Sequence, residues 1–261
     1  MLAEHVVAAA FVLALVYVYS KRAFAGFLAW ITFALACILK IPEFLSREDY
    51  YNTAVSIPVI LFFLLFALTT IRRNSNVMQE VATLLVIACA VYFPFAFIPS
   101  LKMAIIEKTA KLTVLIGNTL GFPMMLVNGC TIELNGRSVE IILPCTAIEG
   151  MSVFAGVTLG TRAELSRKLK AFFVSIPIIY VYNVFRNVFV IVSFGYSWFG
   201  KNSFYIAHNI VAKIFSTLIF IVVVYTILRM LPELVELLCA LKDETLQNVA
   251  KKAPHFSRGM N

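Results

Sequence analysis

Charge is scarce in this chain. Only 14% of its 261 residues are charged, 61% are hydrophobic, and the mean hydropathy is +0.90. Those values exclude an ordinary soluble domain. Acidic side chains are fewest, 14 against 22 Lys and Arg. A basic excess can signal nucleic acid, but here the cations sit in short clusters between apolar runs, as membrane orientation requires, so no nucleic-acid partner is expected. Also missing are an internal repeat, a low-complexity segment outside the basic tail, and any polar stretch long enough for a separate soluble domain. The first apolar run, Leu2 to Tyr19, has no basic n-region and no A-x-A-type cleavage site before Lys21 and Arg22. It is expected to remain as a helix rather than leave as a signal peptide.

What is abundant is hydrocarbon in long blocks. A helix needs ~20 apolar residues to cross a bilayer. Six blocks meet that length, roughly 2–20, 23–41, 54–71, 77–98, 169–194 and 206–231, and a short seventh begins near Cys145 and ends about Gly160. The expected fold is an all-α polytopic membrane bundle of about seven transmembrane helices. Residues 1–231 read as a single transmembrane domain, and 232–261 as a cytoplasmic amphipathic helix and tail.

Placing connectors on alternate sides puts thirteen basic residues on one face: Lys21, Arg22, Arg72, Arg73, Arg162, Arg167, Lys168, Lys170, Arg229, Lys242, Lys251, Lys252 and Arg258. The other face receives seven, Lys40, Arg47, Lys102, Lys108, Lys111, Arg137 and Lys201, over longer connectors. The first face is therefore expected to be cytoplasmic, with the N-terminus outside. Arg186 and Lys213 fall inside spans. Residues 100–127 are broken by Lys102, Glu107, Lys108 and Lys111, then by Gly117, Asn118, Gly121 and Pro123. They read as a helix in the outer interface followed by a bend; an eighth crossing would place the basic "TRAELSRKLK" outside. Beyond it, Asn135–Gly136 between β-rich flanks signals a small extracytoplasmic hairpin over about 128–144, because a type I′ turn needs positive φ at both central positions.

Three reactive groups then share one leaflet. Cys145 follows Pro144 at the start of the span entering from outside, Arg186 lies near the outer end of the next, and His208 opens the last. A helix start and a nearby cation ionise a thiol. An imidazole with a pKa near ~6.5 can take its proton and return it to a leaving amine. Arg186 suits either an oxyanion or a substrate carboxylate. Plainer readings stand beside this one. Cys145 can instead pair with Cys130 as an external disulfide, and Arg186 with Glu149 as a structural ion pair, which is compatible with catalysis. Asn183 and Asn187 either hold the guanidinium or make ordinary interhelical bonds, and the plain role of His208 at a helix start is to cap it or face water. A transporter or channel lined by Arg186, Lys213, Glu149 and His208 is a further reading, though no paired broken helices are seen.

The succession "PCTAIEGM", "YNVFRNVF" and "IAHNIV" resembles the exosortase/archaeosortase family of membrane cysteine transpeptidases, closer to its archaeosortase side, over roughly residues 50–230. The resemblance implies Cys145 as nucleophile, Arg186 as oxyanion or orienting group, and His208 as acid/base, with no metal or organic cofactor. Ala147 stands where that family often has glycine. The implied substrates are exported proteins with a C-terminal tripartite signal: a motif, a transmembrane helix and a basic cluster. The implied outcome is cleavage outside the plasma membrane and transfer to a lipid or other amine, water being the simpler acceptor. A non-catalytic accessory protein of the same fold is the remaining alternative.

Overall fold

The computed structural model describes residues 2–250, and among these it is helical throughout apart from one small sheet. Lys251, Lys252 and Arg258 lie outside the described residues. Six helical stretches are long and apolar enough to cross a membrane, as the blocks of hydrocarbon require, and one shorter apolar helix accompanies them. The described residues form two compact units, 2–86 with 232–250, and 87–231.

The first unit holds α1 (Leu2–Ser20), α2 (Ala23–Ser46), α3 (Tyr50–Arg72), the start of α4 (Asn76–Phe97) and α10 (Pro232–Ala250). In α1 the buried stripe is Ala3, Ala10, Ala14 and Tyr17, a helical spacing of small residues that brings neighbouring backbones close. Gly26 of α2 needs its missing side chain, since a Cβ there would stand 2.7 Å from Thr70 Cγ2. Beside it Trp30 Nε1 donates to Thr70 Oγ1 at 3.0 Å, satisfying the indole inside an apolar seam. Asp49 caps α3 by accepting from the Asn52 N–H at 3.1 Å.

The second unit carries the candidate site. α5 (Pro99–Thr119) opens on a proline, where the missing N–H costs nothing. The bend expected after it falls at Leu120 and Gly121, the glycine at φ 89°. The expected hairpin is present but is one half of a larger element. Three antiparallel strands, β1 (Met125–Val127), β2 (Thr131–Leu134) and β3 (Arg137–Glu140), lie in the order β1-β2-β3. Asn135 (φ 51°) and Gly136 (φ 72°) make the β2–β3 turn, while a second Asn-Gly pair, Asn128 (φ 52°) and Gly129 (φ 76°), lies in the β1–β2 loop.

Ile132 and Leu134 point from β2 into a core with Ile106, Met124, Val188 and Ile191. That fastens the sheet to α5 and to α7 (Leu165–Gly195), where a Cβ on Gly195 would stand 2.8 Å from Leu134 Cγ. α6 (Ile148–Gly160) has 13 residues, a rise of ~20 Å, shorter than the ~30 Å hydrocarbon core. The last long run passes from α8 (Ser203–Tyr205) through a π-helical turn, Ile206–Val211, into α9 (Ala212–Met230).

Candidate active site

Cys145 is not in the first turn of α6, as the sequence suggested. It belongs to a 3-10 turn, Leu143–Thr146, that ends before the helix begins. Pro144 supplies a fixed φ at the start of that turn. Thr146 stitches its end, donating from Oγ1 to Leu143 O at 2.7 Å and accepting the Ile148 N–H at 3.4 Å. Between turn and helix, Ala147 takes the left-handed conformation, φ 60° and ψ 11°. A residue with a Cβ pays ~1–2 kcal/mol to sit there. Glycine does not, which is the physical reason a glycine suits this position.

The break leaves the Cys145 carbonyl outside the ladder of α6, whose Met151 N–H goes to Ala147 O at 2.9 Å. Two side chains of α7 fill the gap. Asn183 Nδ2 donates to Cys145 O at 2.7 Å and Asn187 Nδ2 donates to the same atom at 2.9 Å. Both asparagines are buried, 6% and 4% exposed. They sit one turn apart on α7 and flank Arg186. Of the two readings of these asparagines, the hydrogen bonds seen here are those to a neighbouring element, a grip on the residue bearing the thiol.

Arg186 makes a different contact. Its Nη2 lies 3.3 Å from His208 Nε2. A guanidinium has no acceptor, so Nε2 accepts and the ring proton sits on Nδ1, which donates to Asn209 Oδ1 at 3.0 Å. His208 does not open a helix. It lies in the π-helical turn Ile206–Val211, inside a continuous helical run, and such widened turns recur at functional sites. Its ring stacks on Phe204, centroids 5.4 Å apart and planes 7° from parallel. Phe204 meets Phe194 edge to face at 5.5 Å. Arg137, from β3, covers the Phe194 ring at 4.8 Å and donates to Phe194 O at 2.8 Å. The sheet thereby buttresses the imidazole.

Cys145, Arg186 and His208 lie in the same compact unit; Arg186 touches His208, and the Cys145 carbonyl is held by the asparagines that flank Arg186 in sequence. Cys130 and Cys145 are both free thiols, against the disulfide alternative. Glu149 lies exposed in the first turn of α6. Sequence reasoning missed Asn209, Phe204 and the conformation of Ala147; only Asn209, adjacent to His208, carried a signal, since a neighbouring amide can fix a tautomer. Beside Arg186 a cavity of about 150 Å³ is lined by Tyr182, Phe185, Phe189, Ala212 and Phe215. Among the described residues no cluster of three or more His, Cys, Asp or Glu could hold a metal ion.

Comparison with known proteins decides the family. Residues 3–230 match the family described as Transmembrane exosortase (Exosortase_EpsH). The chain belongs to the transmembrane exosortase family. It is 24% identical over 242 residues to Archaeosortase A of Haloferax volcanii, covering 79% of this chain and 80% of that one. It is 29% identical over 130 residues to Archaeosortase A of Natronomonas pharaonis, covering 43% of this chain and 41% of that one. No solved structure matches. Membership in this family, together with six long apolar helices, makes the chain a multi-pass membrane protein.

Proposed function

We propose that this exosortase-family chain is a membrane cysteine transpeptidase that cuts a C-terminal sorting signal from exported proteins and passes them to a lipid amine or another amine. Cys145 is the nucleophile, on the extracytoplasmic side assigned by the distribution of basic residues. His208 takes the thiol proton as the sulfur bonds to the scissile carbonyl carbon, the carbon–nitrogen bond breaks, and the departing amine takes that same proton from His208. A thioester remains. An acceptor amine then attacks the thioester, His208 takes the proton that this amine loses, and the proton passes to the released thiolate. Arg186 steadies the oxyanion or a substrate carboxylate.

The observation that carries this reading is the meeting of Arg186 with His208 at 3.3 Å, one residue from the Asn187 amide that holds the Cys145 carbonyl at 2.9 Å. With Arg186 on Nε2, the imidazole cannot take a proton. An incoming substrate oxygen draws the guanidinium away and frees the base, so His208 becomes basic only when a substrate is in place. The aromatic cavity beside Arg186 is about 150 Å³, room for one apolar side chain of the bound segment rather than for a whole drug-sized ligand.

The test pairs the full chain in membranes with an exported reporter carrying a C-terminal motif, apolar helix and basic cluster. Cys145→Ala is expected to leave the tail attached while the chain's abundance stays unchanged. Undiminished tail removal by that variant would refute the proposal.

A further inference from the structure

We infer that Asn183 and Asn187 form a two-donor clamp that aims the Cys145 thiol, acting as positioning residues for the nucleophile. The inference rests on the catalytic reading of Cys145 given above. Two amide donors on one backbone carbonyl, at 2.7 and 2.9 Å, use both of its lone pairs. The Cys145 N–H is also held, donating to Ile142 O at 2.8 Å. With both backbone polar groups fixed, only rotation about the Cα–Cβ bond remains to place the sulfur.

The arrangement answers a specific local need. In an uninterrupted helix the Cys145 carbonyl would accept a backbone N–H four residues on. The left-handed Ala147 ends the turn before α6 starts, so the carbonyl faces neighbouring helices instead of its own ladder. A buried carbonyl without a partner is costly, more so where no water can enter. Asn183 and Asn187, spaced four apart, project from one face of α7 and straddle that single oxygen. Because Arg186 lies between them in sequence, the clamp also fixes the offset between the thiol-bearing turn and the guanidinium. Leucine at either position would fill similar space without donating, so packing alone does not call for two asparagines.

Alkylation of Cys145 reads the thiol without any peptide substrate. The full chain, with Cys37, Cys89, Cys130 and Cys239 replaced by alanine and purified in nanodiscs, is treated with iodoacetamide from about pH 5 to pH 10, the range over which thiols ionise. Thermal unfolding is followed on the same samples. Asn183→Leu and Asn187→Leu are each expected to slow labelling at neutral pH by about threefold, because one amide still holds the carbonyl. The double variant is expected to slow it by about thirtyfold or more, more than the product of the single effects. Asn187→Gln keeps an amide donor and is expected to label faster than Asn187→Leu.

Folded single and double leucine variants with the wild-type labelling rate would overturn the clamp. Should the double variant not fold, the two single variants and Asn187→Gln decide alone. A wild-type rate that is indifferent to Arg186→Gln and His208→Gln would instead overturn the catalytic reading. A rate that falls with Arg186→Gln but not with the asparagine variants would overturn the clamp and leave that reading standing.

Discussion

Arg186 donates to His208 across 3.3 Å, and this contact and the Asn209 contact on the opposite nitrogen together set the tautomer of the imidazole. A guanidinium stays protonated and offers only donors, so the ring nitrogen facing it carries the lone pair. The opposite nitrogen carries the proton and gives it to Asn209. His208 is thereby held in one tautomer with its basic atom covered. The cover and the proposed oxyanion ligand are the same side chain.

Lysine at position 186 keeps the charge but loses the planar fork. A compact, mobile ammonium is a point charge that holds a substrate oxygen with less directional control than the fork does. Arg186→Lys is therefore expected to lower the rate of tail removal by about 10²-fold, the usual loss when one oxyanion donor goes. Binding of the tail-bearing reporter, measured by co-purification of the uncleaved form, should weaken far less.

Asn209 controls the other side of the ring. Asn209→Ala releases Nδ1 and allows the unproductive tautomer, which should lower kcat by about tenfold or more with little change in KM. Asn209→Asp makes the opposite test. A carboxylate oxygen still accepts from Nδ1–H and keeps the productive tautomer, so this variant should retain more of the rate than Asn209→Ala. Single-turnover processing, with both variants beside the unaltered chain, measures each loss.

The large features were legible because they depend on composition and short-range rules. Long apolar blocks specified the six membrane-length helices, and Asn135–Gly136 specified the turn between β2 and β3. Asn128–Gly129 is the same dipeptide, but the strand before it has only three residues and alternation cannot show in so short a run. What the sequence could not display is which backbone group a neighbouring helix satisfies. Asn183 and Asn187 flank Arg186, so proximity along α7 suggested the guanidinium. The vacant acceptor was created elsewhere, by the left-handed turn at Ala147. A π-helical turn likewise has no residue signature, so His208 read as a helix start and lies inside a longer helix.

Ala147 offers a direct check on that turn. With φ at 60°, its Cβ costs ~1–2 kcal/mol. Ala147→Gly removes this strain but gives back ~0.4–1 kcal/mol through the freer unfolded chain. A net gain of up to ~1 kcal/mol with processing retained is expected. Ala147→Val, β-branched and poorly tolerated at positive φ, should lose ~2 kcal/mol or more and most of the activity. Thermal unfolding in detergent and reporter cleavage together read both variants, and a stable, active valine variant would show that the turn is not left-handed.

Gly195 tests the reach of the sheet toward the site. A Cβ there would stand 2.8 Å from both Cγ and Cδ2 of Leu134, and Leu134 is itself packed into the core at 1% exposure, with little room to yield. Gly195→Ala should therefore cost ~1–3 kcal/mol of stability through overpacking. The added methyl also presses β2 away from the end of α7, where Arg137 holds Phe194 O at 2.8 Å and covers the ring that meets Phe204. Processing per folded molecule should fall with stability, because Phe204 is the surface on which His208 stacks. Leu134→Val returns some of the lost space. Combined with Gly195→Ala it should recover part of both deficits, a coupling that two independent lesions would not produce. If the pair proves additive in unfolding temperature and in rate, the Gly195–Leu134 contact does not transmit the sheet's position to the imidazole.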